Sequence, residues 1–221
     1  MIDAVKLRSS IAAATTSCVG ELISQFGNSG LYGFALYTTD DLAGIVPAAS
    51  YESGFQQRRQ RLLADKSQCQ WLKDGNIDVQ RAINGDQRWS IYEWEHECFG
   101  KERFDVPNDV IRAAVDESSD AIENDNLCAT VLACMVLALK DLDCGGFFSR
   151  LVERDSLTLF CSVPNSNSTA WLERESVKIL NPPTHFATFA RQRIAWIENE
   201  SDKRFQERDR VLQEFRRQTG A

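Results

Sequence analysis

Two adjacent carboxylates are the first residues of this sequence whose type and position suggest chemistry. Asp40 and Asp41 follow a strand-like run and begin a loop, where paired carboxylates can bind a cation or act as general acid and base. They are also ordinary turn residues, because an aspartate side chain hydrogen-bonds the local backbone. The turn interpretation is favoured unless a third acidic group converges on the pair.

A thiol followed by two glycines is the second candidate. Cys144 could lie exposed in a tight loop, where it could pair with His185 or His96. A reactive thiol needs an electropositive setting, whereas Asp141 and Asp143 lie just before Cys144 and favour its protonated form. A loop thiol without a chemical role is therefore the favoured interpretation.

The histidine and cysteine spacing does not predict a metal site. A zinc site needs three or four ligands at a recognisable spacing, such as two cysteines separated by two residues. The sequence also has no phosphate-binding glycine loop, no nucleophile elbow and no basic–aromatic patch typical of nucleic-acid binding. We therefore expect no metal, no cofactor and no nucleic-acid partner.

Residues 88–95 contain three large amphipathic rings: Trp89, Tyr92 and Trp94. Within this segment Ser90 precedes Glu93 by three positions, a capping-box pattern that predicts a helix from Ile91. The rings either anchor this helix on the sheet or form an aromatic recognition surface. Packing is the commoner use of such rings, and binding is the alternative.

Three strand-like runs must position these groups. Residues 31–38 are apolar on both faces and predict a central strand, with Phe34 and Leu36 nearly fully buried. Residues 45–51 predict the second strand of a hairpin, and residues 157–163 predict a third strand. Helical segments separate these runs, so we predict an α+β fold with a mainly antiparallel sheet flanked by helices.

Helical periodicity recurs at residues 2–26, 56–72 and 168–179. Residues 127–139 predict a buried helix, because the run is too short to span a membrane. Residues 186–218 carry a narrow stripe that predicts one long helix, packed against the domain or forming a homodimer with a second copy. The stripe consists of Ile194, Ile197, Phe205, Leu212 and Phe215. We expect a single α+β domain over residues 1–185 and a C-terminal helical extension over residues 186–221.

The charge of the 221-residue chain is −7 and is unevenly distributed. Residues 74–127 contain fourteen acidic and five basic residues, whereas residues 186–221 contain six acidic and eight basic residues. An acidic middle repels nucleic-acid phosphates and favours a basic protein partner. The alternative is a solvated face that keeps the protein soluble, which is the commoner role of a charge run.

The seven cysteines are scattered, odd in number and mostly set among apolar residues. This pattern differs from the disulfide frameworks of small secreted proteins and predicts free thiols. The N-terminal residues do not resemble a secretory signal. We therefore expect a cytoplasmic protein with no disulfide and no membrane span.

Three blocks of the sequence resemble a known family. Residues 31–50 read LYGFALYTTDDLAGIVPAAS, residues 88–95 read RWSIYEWE, and residues 156–165 read SLTLFCSVPN, with LNPP at residues 180–183. In this order they resemble the bacterial family of domain of unknown function 4303 over residues 1–189. The resemblance implies a compact bacterial α+β domain, and it carries over no catalytic residues. Such domains often occur in toxin–immunity neighbourhoods.

Two functions from different classes follow. The acidic middle, the lack of a catalytic constellation and the resemblance favour a non-enzymatic protein-binding domain, such as an immunity or antitoxin-type protein. The alternative is an enzyme whose active site draws on Asp40, Asp41, Cys144 or His185. A deep pocket that holds two of these residues would favour the enzyme, and a flat acidic surface would favour the binding protein.

Overall fold

The computed structural model describes residues 2–75, 77–118, 120–166, 168–200 and 209–220. The strands of this part of the chain are β1 (Leu31–Tyr37), β2 (Val46–Tyr51), β3 (His96–Glu97) and β4 (Thr158–Ser162). They form one sheet in the order β3, β2, β1, β4. The β1–β2 and β2–β3 pairs are antiparallel, and β1–β4 is parallel. The fold is α+β as predicted, but the sheet is mixed, because helical crossovers return the chain to the far side of β1.

Helices make up most of the described chain. In chain order they are α1 (Ala4–Phe26), α2 (Glu52–Ala64), α3 (Lys66–Asp74), α4 (Val79–Ala82), α5 (Asp105–Glu117), α6 (Ala121–Cys144), α7 (Phe147–Leu151), α8 (Thr169–Leu180), α9 (Pro183–Phe189), α10 (Ala195–Glu200) and α11 (Asp209–Thr219). Two π-helical segments, Ile83–Gln87 and Ala190–Ile194, continue α4 and α9. No described helix is long and apolar enough to cross a membrane.

The main core lies between one face of the sheet and helices α1, α5 and α6. Phe34 and Leu36 of β1 are 1% and 0% exposed in this core, which confirms their predicted burial. The middle of α6 is buried on all sides, because it contacts α1, α8, α11 and β4. This explains why residues 127–139 are continuously apolar.

A second core covers the opposite face of the sheet. Tyr32 and Ala35 of β1 point to this side, where they meet Phe55 of α2, Trp89 and Phe189. Alternate side chains of a strand point to opposite faces, so β1 must be apolar on both. Helices α2 and α5 consequently lie on opposite sides of the sheet.

The outer edge of β4 is closed by side chains instead of a further strand. Ser176 of α8 accepts a hydrogen bond from the Cys161 amide at 3.0 Å, and its hydroxyl lies 3.2 Å from the Cys161 carbonyl oxygen. The Asn181 side chain likewise accepts from the Leu159 amide at 2.8 Å and donates to its carbonyl at 2.7 Å. These contacts satisfy backbone groups that would otherwise invite pairing with another chain.

The helix predicted from Ile91 is wrong. The chain forms only one 3-10 turn, Ile91–Glu93, and the Ser90 side chain makes no capping bond. Trp94 continues in extended backbone, and its indole nitrogen donates to the Arg88 carbonyl at 2.9 Å. Tertiary anchoring of this ring therefore overrides the local capping pattern.

The C-terminal segment differs from the one regular helix predicted over residues 186–218. The helix begins at Pro183 and passes through the π-helical segment, where buried Arg193 reaches Glu173. Residues 201–208, including Phe205 of the predicted stripe, lie outside the described residues. Helix α11 packs on α6 of its own chain, with Val211 and Phe215 each 0% exposed. The predicted division at residue 185 stays a prediction.

Candidate functional site

Asp40 and Asp41 occupy an exposed loop after β1. The Ser166 hydroxyl donates to Asp40 at 2.6 Å, and the Thr39 hydroxyl donates to Asp41. The latter bond lowers the pKa of Asp41. These contacts organise the loop locally, as expected for turn aspartates. Within the described ranges, no group of three histidine, cysteine, aspartate or glutamate side chains is placed to hold a metal ion.

Cys144 and His185 lie at the other end of the sheet. Cys144 is exposed at the end of α6, and His185 Nε2 lies 2.8 Å from the carbonyl oxygen of Asp155, just before β4. Because β1 and β4 are parallel, Asp40 follows the carboxyl ends of the strands, whereas Asp155 precedes their amino ends. A five-residue strand is about 17 Å long. The structure thus keeps Asp40 and Asp41 apart from Cys144 and His185.

The indoles of Trp89 and Trp94 are only 4% and 3% exposed and are therefore unavailable as a recognition surface. The Trp94 ring covers Gly33, where an added Cβ would lie 2.8 Å from it, so this position suits glycine. Trp89 donates its indole hydrogen to Gln192 at 2.9 Å. Tyr92, 45% exposed, is the member of the predicted aromatic group that reaches the surface.

Beneath these rings buried Arg58 forms an ion pair with Glu95, whose side chain is 27% exposed. Sequence analysis did not predict this pair. Arg58, 7% exposed, donates to Glu95 at 2.5 Å and to the Ser50 hydroxyl at 2.8 Å. The other Glu95 oxygen accepts from the Tyr51 amide at 2.6 Å. Burial raises the pKa of nearby Tyr32, another partner of Arg58, to about 12. The charges satisfy one another, so the cluster ties α2 and residues 88–95 to the sheet.

A second buried pair joins α8 to the segment after α9. Glu173, 0% exposed, accepts from Arg193 at 2.9 Å and from the Ser162 hydroxyl at 2.7 Å. Arg193 also lies 3.6 Å from Asp86, whose pKa is raised by burial. No sequence spacing links these residues, so only the fold reveals the cluster. It has the mutual pairing expected of a structural ion pair.

The fold pairs some carboxylates of the acidic middle with buried arginines and leaves others exposed. Glu95 and Asp86, whose side chains are 27% and 35% exposed, each lie against a buried arginine. Residues 101–125 contain eight acidic and three basic residues and form α5, its approach and the start of α6. Seven of these carboxylates are exposed: Glu102, Asp105, Asp109, Asp116, Glu117, Asp120 and Glu123.

Aliphatic side chains lie uncovered among these carboxylates. Val106 and Val110 are 67% and 38% exposed and are one turn apart on α5, and exposed Ala113 continues the same side of the helix. Ile122, at the start of α6, is 54% exposed. We call the exposed residues of α5 and of the first turn of α6 the acidic face. Val106, Val110 and Ala113 form a row along α5, and exposed apolar side chains grouped in this way are typical of a binding site.

A cleft of about 720 Å³ borders the acidic face. Its walls come from the start of α1, the end of α5, the part of α6 from Glu123 to Leu137, and α11. None of the residues named for the enzymatic alternative lines it. Leu127, Cys134 and Leu137 give it apolar walls. Glu214 and Arg217 border it as an ion pair, and this bond lowers the pKa of Glu214 to about 2. The cleft has the size of a site for a small ligand or a partner's side chains.

The arrangement defines an α+β domain with a sheet covered on both faces and an acidic, partly apolar outer surface. The chain belongs to the family described as domain of unknown function (DUF4303), whose model matches residues 11–182. The match ends just after α8, so it includes the acidic face and excludes α9, α10 and α11. No curated protein and no solved structure gives a significant match.

Proposed function

We propose that this protein is a non-enzymatic binding domain whose acidic face recognises a basic protein partner. The observation that carries the proposal is the exposure of Val106 and Val110 on a helix with four acidic residues and one basic residue. Burial of the exposed valines by a partner stabilises the complex, and the surrounding carboxylates select for a basic partner. An acidic patch without apolar groups would attract a basic partner but would bury little apolar surface in the complex.

Helix α5 is suited to this role because its two sides do different work. Pro107 and Ile111 are buried and hold the helix on the main core, so the neighbouring exposed surface with Val106 and Val110 is displayed on a fixed support. A helix of thirteen residues is about 20 Å long, enough for several turns of contact. The adjacent cleft can take side chains that project from the same partner.

An immunity or antitoxin protein is the physiological class that we propose for this surface. Such a protein needs a rigid surface complementary to its target, and it needs no catalytic group. Long-range attraction between opposite charges speeds association, an advantage for an inhibitor that must act before its target does. The enzymatic alternative draws on Asp40, Asp41, Cys144 or His185, and none of these four residues lines the cleft beside the acidic face.

Selection from a displayed library of random 16-residue peptides tests the proposal without a known partner. We expect wild-type protein to enrich basic, amphipathic peptides whose affinity falls at high salt. The Val106→Ser/Val110→Ser variant removes the apolar groups without changing the charge and should bind them at least about tenfold more weakly, roughly 1.4 kcal/mol. Tyr92→Ser, a change at an exposed residue outside the acidic face, should retain the affinity.

Two outcomes would contradict the proposal. One is the absence of enriched basic peptides. The other is enrichment of peptides that bind the Val106→Ser/Val110→Ser variant as tightly as wild type. If Tyr92→Ser alone abolished binding, the recognition surface would lie at residues 88–95 instead.

A further inference from the structure

A basic surface lies on the side of the sheet opposite the acidic face. Residues 52–74, which include α2 and α3, contain five basic and three acidic residues. Arg58 is buried against Glu95, and Glu52 pairs with Arg88. The other basic residues lie at least partly on the surface and outnumber the exposed Asp65 and Asp74: Arg59, Arg61, Lys66 and Lys73. The surface of this helix pair therefore has a net positive charge, opposite in sign to that of α5.

This basic surface also carries uncovered apolar groups. Leu63 is 49% exposed on α2, and Trp71 is 68% exposed on α3. Their neighbours Leu62 and Leu72 are buried in the second core and hold the two helices on the domain. We call the exposed residues of α2 and α3 the basic face. It resembles the acidic face in form, with apolar side chains set among charges that are mostly of one sign.

We propose that the acidic face also binds the basic face of a second copy of this chain. This inference rests on the proposed function above and adds a second basic partner to it. The two faces have opposite charge, and each presents large apolar side chains that the other could cover. Helices α2 and α5 each have thirteen residues, so their contact surfaces have similar lengths. Complementary surfaces of this kind are what a stable contact between copies requires.

Geometry makes this contact intermolecular. Helix α5 packs in the main core and α2 in the second core, on opposite faces of the sheet. The two faces of one chain cannot meet, so each contact joins the acidic face of one copy to the basic face of the next. Such a head-to-tail contact leaves one face unused at each end, and assembly continues until a ring closes or a chain forms.

Sedimentation velocity on the full chain tests the inference. The average mass of the wild type should rise with protein concentration in buffer of about 50 mM salt and fall towards the monomer at about 500 mM, because salt screens surface charges. Asp105→Lys/Asp109→Lys and Lys66→Glu/Lys73→Glu should each abolish association. Mixing these two variants should restore it, because each retains one native face and presents a complementary reversed face.

Two further variants separate specific contacts from general charge effects. Lys6→Glu/Lys178→Glu changes the net charge by the same amount as Lys66→Glu/Lys73→Glu but lies outside both faces, and it should associate like the wild type. Trp71→Ser leaves the charge unchanged and should weaken association at least about fivefold, roughly 1 kcal/mol. Circular dichroism of every variant checks that the fold is kept.

A monomeric wild type at every concentration and salt would overturn the inference and leave the peptide selection as the test of the acidic face. Association that survives both charge reversals would also overturn it and would favour the contact predicted through the C-terminal helix. A third outcome is that the peptide selection fails but the charge-reversal variants change association as expected. The acidic face would then recognise only a second copy of this chain.

Discussion

Phe215 packs against Trp171 with ring centroids 5.5 Å apart and an angle of 63° between the rings. The first ring belongs to α11, beyond the part of the chain that matches the family model, and the second belongs to α8 within it. Both rings are in the main core, at 0% and 2% exposure. A helix outside the family match therefore completes the hydrophobic core of this chain.

Phe215→Ala should lower the free energy of unfolding by about 3–5 kcal/mol, the usual cost of removing a buried phenylalanine ring. Gln213→Ala, at an exposed position of the same helix, should change it by less than about 0.5 kcal/mol. Urea denaturation of both variants measures the difference. A loss below about 1 kcal/mol for Phe215→Ala would mean that α11 does not hold this position in solution.

Gly54→Ala should destabilise the protein by about 1–3 kcal/mol. A Cβ at this position would overlap the Glu95 carboxylate, which is held by Arg58 and the Tyr51 amide. Gly20→Ala is the matched control, since no atom lies within 4 Å of its Cβ and alanine is the better helix former. It should stabilise the protein by about 0.5–1 kcal/mol. Thermal unfolding measures both changes. If the melting temperatures of the two variants shifted in the same direction, the geometry at Gly54 would be contradicted.

Acid should destabilise the protein through His96. Burial against Phe26 and Tyr51 lowers its pKa below the usual 6.5, with Glu95 opposing the shift. The unfolded chain therefore binds this proton first, and stability falls as the pH drops from about 6.5 to the native pKa. His96→Gln should remove this part of the pH dependence, and His185→Gln should keep it. Equal slopes for His96→Gln and wild type between about pH 7 and pH 5 would refute this assignment.

Thiol modification should separate the seven cysteines by burial. Exposed Cys144 should react first in the native protein. Cys18 and Cys134 should stay protected, because burial raises their pKa values to about 12 and about 11. Unfolding without reductant should release seven reactive thiols, since all seven are free in the structure. A titration that found five would indicate a disulfide.

Patterns within one element predicted much of the fold. Period-two and continuous apolar runs located β1, β2 and β4 to within one residue, and Gly27, with φ of 78°, ends α1 as expected. The predicted helix over residues 56–72 is interrupted at Asp65, whose carboxylate caps α3 through the Gln68 amide. The parallel pairing of β1 with β4 could not be predicted, because strand direction depends on the connections between distant elements.

The candidate site was predicted only in part. Net charge located the acidic segment but could not show that Glu95 and Asp86 pair with buried arginines while the carboxylates of α5 stay exposed. The exposure of Val106 could not be predicted either, because valine is also an ordinary core residue. Whether such a side chain is covered depends on which side of α5 meets the core, and that is decided by contacts between elements far apart in sequence.

The pairing of Gly33 with Thr158 has a consequence for the synthesis of this protein. A ribosome adds about 5–20 residues per second, so the central strand waits roughly 6–25 seconds for its parallel neighbour. Until then the nascent hairpin of β1 and β2 has one long unpaired side, and the side chains that later seal β4 have not been made. Folding of this chain is therefore late and non-local, and a chaperone that shields the hairpin should raise the yield of native protein more than one acting after release.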